Sequence, residues 1–293
     1  MIKYILIFIF ITFNVFGFDA FINPNELRAN IEDKNLIIID VDSYALYKKS
    51  HIKHAIYFDI QKLIPREENP YMLLDSAQNV QSTLKGLGIN TNSKVVLYAH
   101  NTTQGTLNSS YLAFALIYNG FENVTILNGG YMAWVFQNDL LISSEKFSPE
   151  DDGNFTFKAN PNLLVDLEYL KQNPQNATIL DARPIKQYYG IEKTNKIDGI
   201  GHIPHAKSAF YKYSFLSDET IRKDDELNEI YIDGDNLSQE SNIITYGNSV
   251  YDASMLWYIL YQKMGFKHTK LYGASLKEWG NNHAMPMQRF KWE

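Results

Sequence analysis

An α/β fold written twice is predicted by two features of this chain of 293 residues. Short apolar runs alternate with segments of helical periodicity, as in parallel sheets flanked by helices. The whole pattern then recurs with a period near 145 residues, as Gly120 and Gly265 show.

Four anchors carry the repeat, in the same order in both halves. The first is a buried strand ending in an acid: Leu36 to Asp40, then Thr178 to Asp181. Uninterrupted apolar runs of this length suit strands covered on both faces. The second is a His-Ile turn, at His51-Ile52-Lys53-His54-Ala55 and at His202-Ile203-Pro204-His205-Ala206. The third is a strand, a loop and a helix. The strands are Val95 to Tyr98 and Ile243 to Tyr246, and apolar residues then fall at helical spacing over Tyr111 to Tyr118 and Met255 to Met264. The fourth runs Gly-strand-Gly-helix to a tryptophan, from Gly120 to Trp134 and from Gly265 to Trp279, 14 residues each time.

These anchors give residues 20–142 to a first domain and 163–290 to a second. Residues 143–162 join them as a linker, reading Ser-Ser, Pro149, Glu-Asp-Asp-Gly and Asn-Pro-Asn. Leu216 to Gln239 is charged and weakly periodic, and is expected to form one or two surface helices around a loop. Residues 1–17 read as an export signal: Lys3 is the short positive region, Ile5 to Phe16 the apolar stretch, and Gly17 a cleavage point. The alternative is an uncleaved anchor, and the apolar run is short for a membrane span. Cleavage would remove one Lys, leaving 26 basic residues against 33 acidic. That balance argues against non-specific nucleic-acid binding.

The chain has no cysteine. Disulfides, thiolate metal ligands and thiol catalysis are thereby excluded, while export to an oxidising compartment remains compatible. The His-x-x-His pairs lie in turns, so no metal site is expected, and no cofactor motif is present.

The chain resembles the two-domain rhodanese family, the thiosulfate and 3-mercaptopyruvate sulfurtransferases. The resemblance rests on Leu180-Asp181-Ala182-Arg183, Gly201-His202-Ile203-Pro204, Leu271 to Gly280 and Val124 to Trp134, and covers residues 20–290. It implies tandem rhodanese-like domains packed face to face with a cleft between them. It also implies an active-site loop of six residues after Tyr246: Gly247, Asn248, Ser249, Val250, Tyr251 and Asp252. In the family the first of these is a cysteine, whose persulfide is held by loop N–H groups at a helix N-terminus. Here it is Gly247, and the first-half counterpart is Ala99.

The resemblance makes Arg183 a candidate for binding an anionic donor, with an ion pair to Asp181 as the structural alternative. Lys186 is a weaker candidate of the same kind. Asp252 reads first as a helix N-terminal acid. Ser249 lacks an evident base, since His202 belongs to a turn motif. His100 reads as a solvated loop histidine. The first loop is longer, with three extra positions expected within residues 100–106. The expected protein is thus an exported sulfurtransferase homologue without cysteine-persulfide chemistry, whose partner is a small sulfur-containing anion or a protein. The alternative is a sulfurtransferase that works without its own thiol by positioning donor and acceptor. Gly247→Cys is the expected route to restoring a persulfide.

Overall fold

The computed structural model describes residues 19–64, 74, 76–138, 141–172 and 177–293. The export signal expected over residues 1–17 lies outside them. In the first half the elements are β1 (Phe21–Ile22), α1 (Pro24–Ala29), β2 (Leu36–Asp40), α2 (Tyr44–Lys49), β3 (His51–Ile52), β4 (Ile56–Tyr57), α3 (Ala77–Lys85), β5 (Lys94–Tyr98), α4 (Thr103–Tyr118), β6 (Val124–Leu127), α5 (Gly130–Asn138) and β7 (Ile142–Ser143). The second half contributes α6 (Leu167–Gln172), β8 (Thr178–Asp181), α7 (Ile185–Tyr188), β9 (Ala206–Ser208), α8 (Asp224–Asn228), β10 (Ile243–Tyr246), α9 (Val250–Tyr258), β11 (Thr269–Leu271) and α10 (Ser275–Trp279).

Each half builds a parallel sheet, ordered β1-β6-β5-β2-β4 and β11-β10-β8-β9. The acid-ending strands sit beside the loop-bearing strands in matched register: Asp40 lies opposite Tyr98, and Asp181 opposite Tyr246. The predicted α/β class and the strand anchors are therefore present in both halves. The charged stretch 216–239 holds one short helix, α8, which widens into a π-turn over Glu229–Gly234 and buries Leu227 and Tyr231.

The two halves meet through α4 and α9. Helix α4 is buried on every side, because its sequence is apolar or small all round and it lies between its own sheet and the other half. Phe114 packs edge-on to Trp257 at 4.9 Å, Tyr111 edge-on to Tyr251 at 5.4 Å, and Ser110 Oγ meets Ser254 Oγ at 3.2 Å. Tyr258 hydroxyl donates to Ala20 O at 2.6 Å, so a residue of α9 also ties into the edge of the first sheet. One apolar core runs through both halves. Aromatic pairs of this kind contribute about 0.5–1.5 kcal/mol each beyond area burial, which favours one fixed interface.

The joining segment is seated on the first half. Ser143 pairs with His51, Phe147 N–H donates to the Tyr47 hydroxyl, Phe155 N–H donates to Ile89 O, and Phe157 enters the core. Gly153 lies so close to Ile89 that a Cβ there would fall 2.0 Å from its carbonyl oxygen.

Candidate functional site

Strand β10 delivers the chain into the loop at Tyr246, whose hydroxyl donates to Asp181 Oδ2 at 2.6 Å and accepts from Ile203 N–H at 3.2 Å. Gly247 N–H donates to Ser275 Oγ at 3.1 Å, while Gly247 O accepts from Leu276 N–H at 3.1 Å. The Asn248 side chain donates to Gln187 Oε1 and accepts from Thr194 Oγ1, both at 3.0 Å. The loop is thus fastened on two sides. Ser249 is the N-cap of α9 and makes no side-chain cap bond. Val250, Tyr251 and Asp252 already belong to the first helical turn, so the loop proper is 247–249 rather than the expected six residues. Val250 packs against the shared core, and the Tyr251 hydroxyl accepts from Gln61 Nε2 of the first half at 3.4 Å.

Asp252 fills the space that Gly247 leaves. Its Oδ2 accepts the Asn248 N–H at 2.5 Å, and a Cβ built on Gly247 would lie 2.5 Å from that same oxygen. Burial pushes the Asp252 carboxyl up to about 6, against the opposing pull of its loop hydrogen bonds and of Arg183. A carboxylate therefore sits where the family places a sulfur anion.

Arg183 is buried. Its Nε donates to Asp181 Oδ1 at 2.9 Å, and Nη2 donates to Asp181 Oδ2 and to Gly201 O, both at 2.6 Å. Burial pulls the guanidinium pKa down, but the charge and hydrogen bonds of Asp181 more than reverse this, so it stands above its ordinary value. These contacts are the ion pair weighed above against anion binding. Lys186 is exposed and pairs with Glu192 at 3.2 Å. His202 is buried, with Nδ1 bonded to Tyr188 O at 2.9 Å and its ring stacked on Tyr188 at 3.9 Å. No hydrogen bond joins it to Ser249 among the described residues, so the geometry supplies no base for a serine nucleophile.

The first-half loop, 99–102, has the same place and different contacts. His100 is not solvated, as the sequence had implied: its Nε2 lies 2.8 Å from Asp40 Oδ2 with the side chain 8% exposed, stacked on Tyr131. Sequence proximity concealed this, because Asp40 ends a neighbouring strand 60 residues earlier. Asp42 Oδ2 accepts from His100 N–H at 3.0 Å and from Thr102 Oγ1 at 2.7 Å. Here too a carboxylate closes the loop. The three extra positions are not confined to 100–106: the loop between strand and helix is one residue longer (99–102 against 247–249), and the helix that follows holds the rest.

Two features of the site region escaped the sequence. One is Asp42, whose only signal was its place two residues after the strand acid, where the second half has Arg183. The other is a tyrosine stacked under each turn histidine, Tyr47 on His51 and Tyr188 on His202, both at 3.9 Å. Their spacings, 4 and 14 residues, hide the equivalence. Among the described residues no cluster of His, Asp and Glu is arranged to hold a metal ion, and no helix is long and apolar enough to cross a membrane.

Two parallel-sheet domains, each with a loop between a central strand and the helix that meets its counterpart, define the rhodanese class of tandem α/β proteins. The chain belongs to the rhodanese family: the rhodanese-like domain matches residues 23–137 and 166–282. It is 26% identical to a putative thiosulfate sulfurtransferase of Haloferax volcanii, over 90% of this chain and 92% of the relative. It is 26% identical to the 3-mercaptopyruvate sulfurtransferase of Escherichia coli, over 92% and 98%. The sulfur carrier protein TtuD of Thermus thermophilus is 24% identical, over 92% and 97%. Among solved structures, the anaerobic ergothioneine biosynthesis enzyme of Chlorobium limicola superposes with a TM-score of 0.78 at 21% identity, covering 92% of this chain and 70% of the enzyme. That likeness is one of fold. The protein is thus related to thiosulfate and 3-mercaptopyruvate sulfurtransferases, with Gly247 at the position of the family cysteine.

Proposed function

We propose that this protein is an exported, non-catalytic member of its family, periplasmic or secreted, that binds a small sulfur-containing anion or a protein partner. Sulfur transfer in the family needs a thiolate nucleophile. One observation carries the reading: beside Gly247, the Asp252 carboxylate accepts the loop N–H of Asn248. The loop has exchanged a reactive sulfur for an internal, unreactive anion. An incoming anion competes with Asp252 for the loop, so binding there is favoured when that carboxyl is protonated. Export rests on the composition of residues 1–17. The name of the Thermus relative, a sulfur carrier protein, is in keeping with a sulfur-related partner.

The test is a three-variant series incubated with thiosulfate. In a working site the thiolate attacks the sulfane sulfur, the S–S bond breaks, sulfite leaves, and the protein gains the mass of one sulfur atom. The wild-type protein is expected to gain nothing and to form no thiocyanate from cyanide. Gly247→Cys alone is expected to react poorly, because its Cβ would fall 2.5 Å from Asp252 Oδ2. Gly247→Cys with Asp252→Ser removes that conflict and is expected to carry persulfide. Thiocyanate formation clearly above background by the wild-type protein would overturn the reading.

A further inference from the structure

A groove of about 650 Å³ lies on the first domain, between the joining segment and the aromatic residues around α2. Its wall is aromatic: Tyr44 and Tyr57 stand 5.0 Å apart with their planes tilted, and Phe147 faces them from the joining segment. Tyr44 and Phe147 are 46% and 42% exposed, a large apolar exposure for rings that border one opening. The wall is also held in place. Tyr57 hydroxyl accepts the Tyr44 backbone N–H, and Phe147 N–H donates to the hydroxyl of Tyr47, on which Tyr44 stacks.

The charge on this groove is one-sided. Lys62 and Lys146 are its only charged lining residues, in a chain with more acidic than basic residues overall. Neither lysine makes an ion pair or a hydrogen bond among the described residues, whereas Lys53, Lys94 and Lys263 all do. On the other side of Phe147 a second groove of about 690 Å³ is lined by Glu32, Asp33, Glu150, Asp151 and Asp152. Charge of opposite sign is thus sorted to the two sides of one aromatic side chain. Volume, aromatic wall and few polar groups of one sign fit a small-ligand site of ordinary size.

We propose that the groove lined by Tyr44, Tyr57, Phe147, Lys62 and Lys146 binds a small planar organic anion, a ring or conjugated system bearing a carboxylate or sulfonate. The ring stacks on the exposed tyrosine and the anionic group is shared by the two lysines. The site is separate from the loop at Gly247 and from any ligand held there, although the turn Ile60–Leu63 borders both. That turn carries Lys62 to the groove, and Gln61 to Tyr251.

The probe is 2-naphthalenesulfonate, titrated calorimetrically against the full protein, with the uncharged 2-naphthalenemethanol as its control. Saturable binding of the sulfonate, at least tenfold tighter than the alcohol, is expected. Lys62→Glu with Lys146→Glu is expected to weaken it at least tenfold, and Tyr44→Ala several-fold. All three residues are exposed, so the variants should keep the fold, which circular dichroism checks. Asp252→Ser is expected to leave this binding unchanged, which separates failure here from failure at the loop. Equal binding of the alcohol, no saturable binding of the sulfonate, or sulfonate binding untouched by the lysine reversals would each overturn the proposal.

Discussion

The two loops answer the same electrostatic problem with different residues. Each domain ends its second sheet position in a fully buried acid, Asp40 in one and Asp181 in the other. In the first domain that acid is met by His100, reaching back from the loop, and the loop N–H is closed by Asp42 from the strand side. In the second domain the acid is met by Arg183, from the position of Asp42, and the loop N–H is closed by Asp252 from the helix. The cation and the closing carboxylate have changed places between the halves. What persists is a paired strand acid and a loop closed by a carboxylate. The individual side chains that achieve this do not persist.

The comparison is broken hardest at its cations. Arg183→Met leaves Asp181 buried with the guanidinium gone, and loss of one partner of a buried pair costs about 3–5 kcal/mol. His100→Ala leaves Asp40 in the same predicament, but the remaining contact is a single hydrogen bond, so a cost of about 1–3 kcal/mol is expected. Urea denaturation of both variants measures the order. If His100→Ala proves as costly as Arg183→Met, the two acids are not held by unequal means.

That contrast also explains how much was legible in the sequence. The strands, their register and the parallel sheets follow from short apolar runs, each a local signal, and the repeat placed them correctly. The loop position was equally legible, since it follows the strand at Tyr246 directly. The carboxylates were not. Asp42 and Asp252 reach equivalent loops from different elements, one before and one after, so a search by period cannot align them. His100 was read as solvated because its partner is adjacent only across the sheet. Arg183 is a case where the bland reading was the informative one: Arg183 and Asp181 are two residues apart, and the pair they form is on the page of the sequence.

A smaller effect is expected at the glycines that make room for the carboxylates. A Cβ on Gly105 would lie 2.2 Å from Asp42 Oδ2 and 2.8 Å from Ala99 Cβ, so both a side chain and a fixed backbone neighbour must yield. Overpacking of this kind costs about 1–3 kcal/mol, the range expected for Gly105→Ala. A Cβ on Gly247 meets only Asp252, a side chain that can turn away, and Gly247→Ala is expected to cost about 1 kcal/mol or less. Thermal melts of the two variants test this. A larger loss at Gly247 would mean that Asp252 is fixed as firmly as Asp42, which uses both oxygens, Oδ1 for Ser43 N–H and Oδ2 for His100 N–H.

The smallest and sharpest test is the pH dependence of Asp252. Its carboxyl is raised to about 6 in the folded chain, mainly by burial, from an ordinary value of 3.8. Between those values the folded protein holds a proton that the unfolded chain has released. Stability from this group therefore falls as the pH rises from about 4 to about 6, and stays at the lower level above that. Asp252→Asn keeps an oxygen for the Asn248 N–H and cannot ionise, so it escapes the loss. The stability of the variant relative to the wild-type protein should shift in the variant's favour between about pH 4 and about pH 7, with most of the change complete by about pH 6. Denaturant titrations of both proteins at the two pH values give the difference directly, with titrations common to both chains cancelling. A difference that does not change with pH would mean that the carboxylate faces water instead of the space beside Gly247. The loop would then be open to an outside anion at neutral pH, and the parallel with the Asp42-closed loop of the first domain would fail.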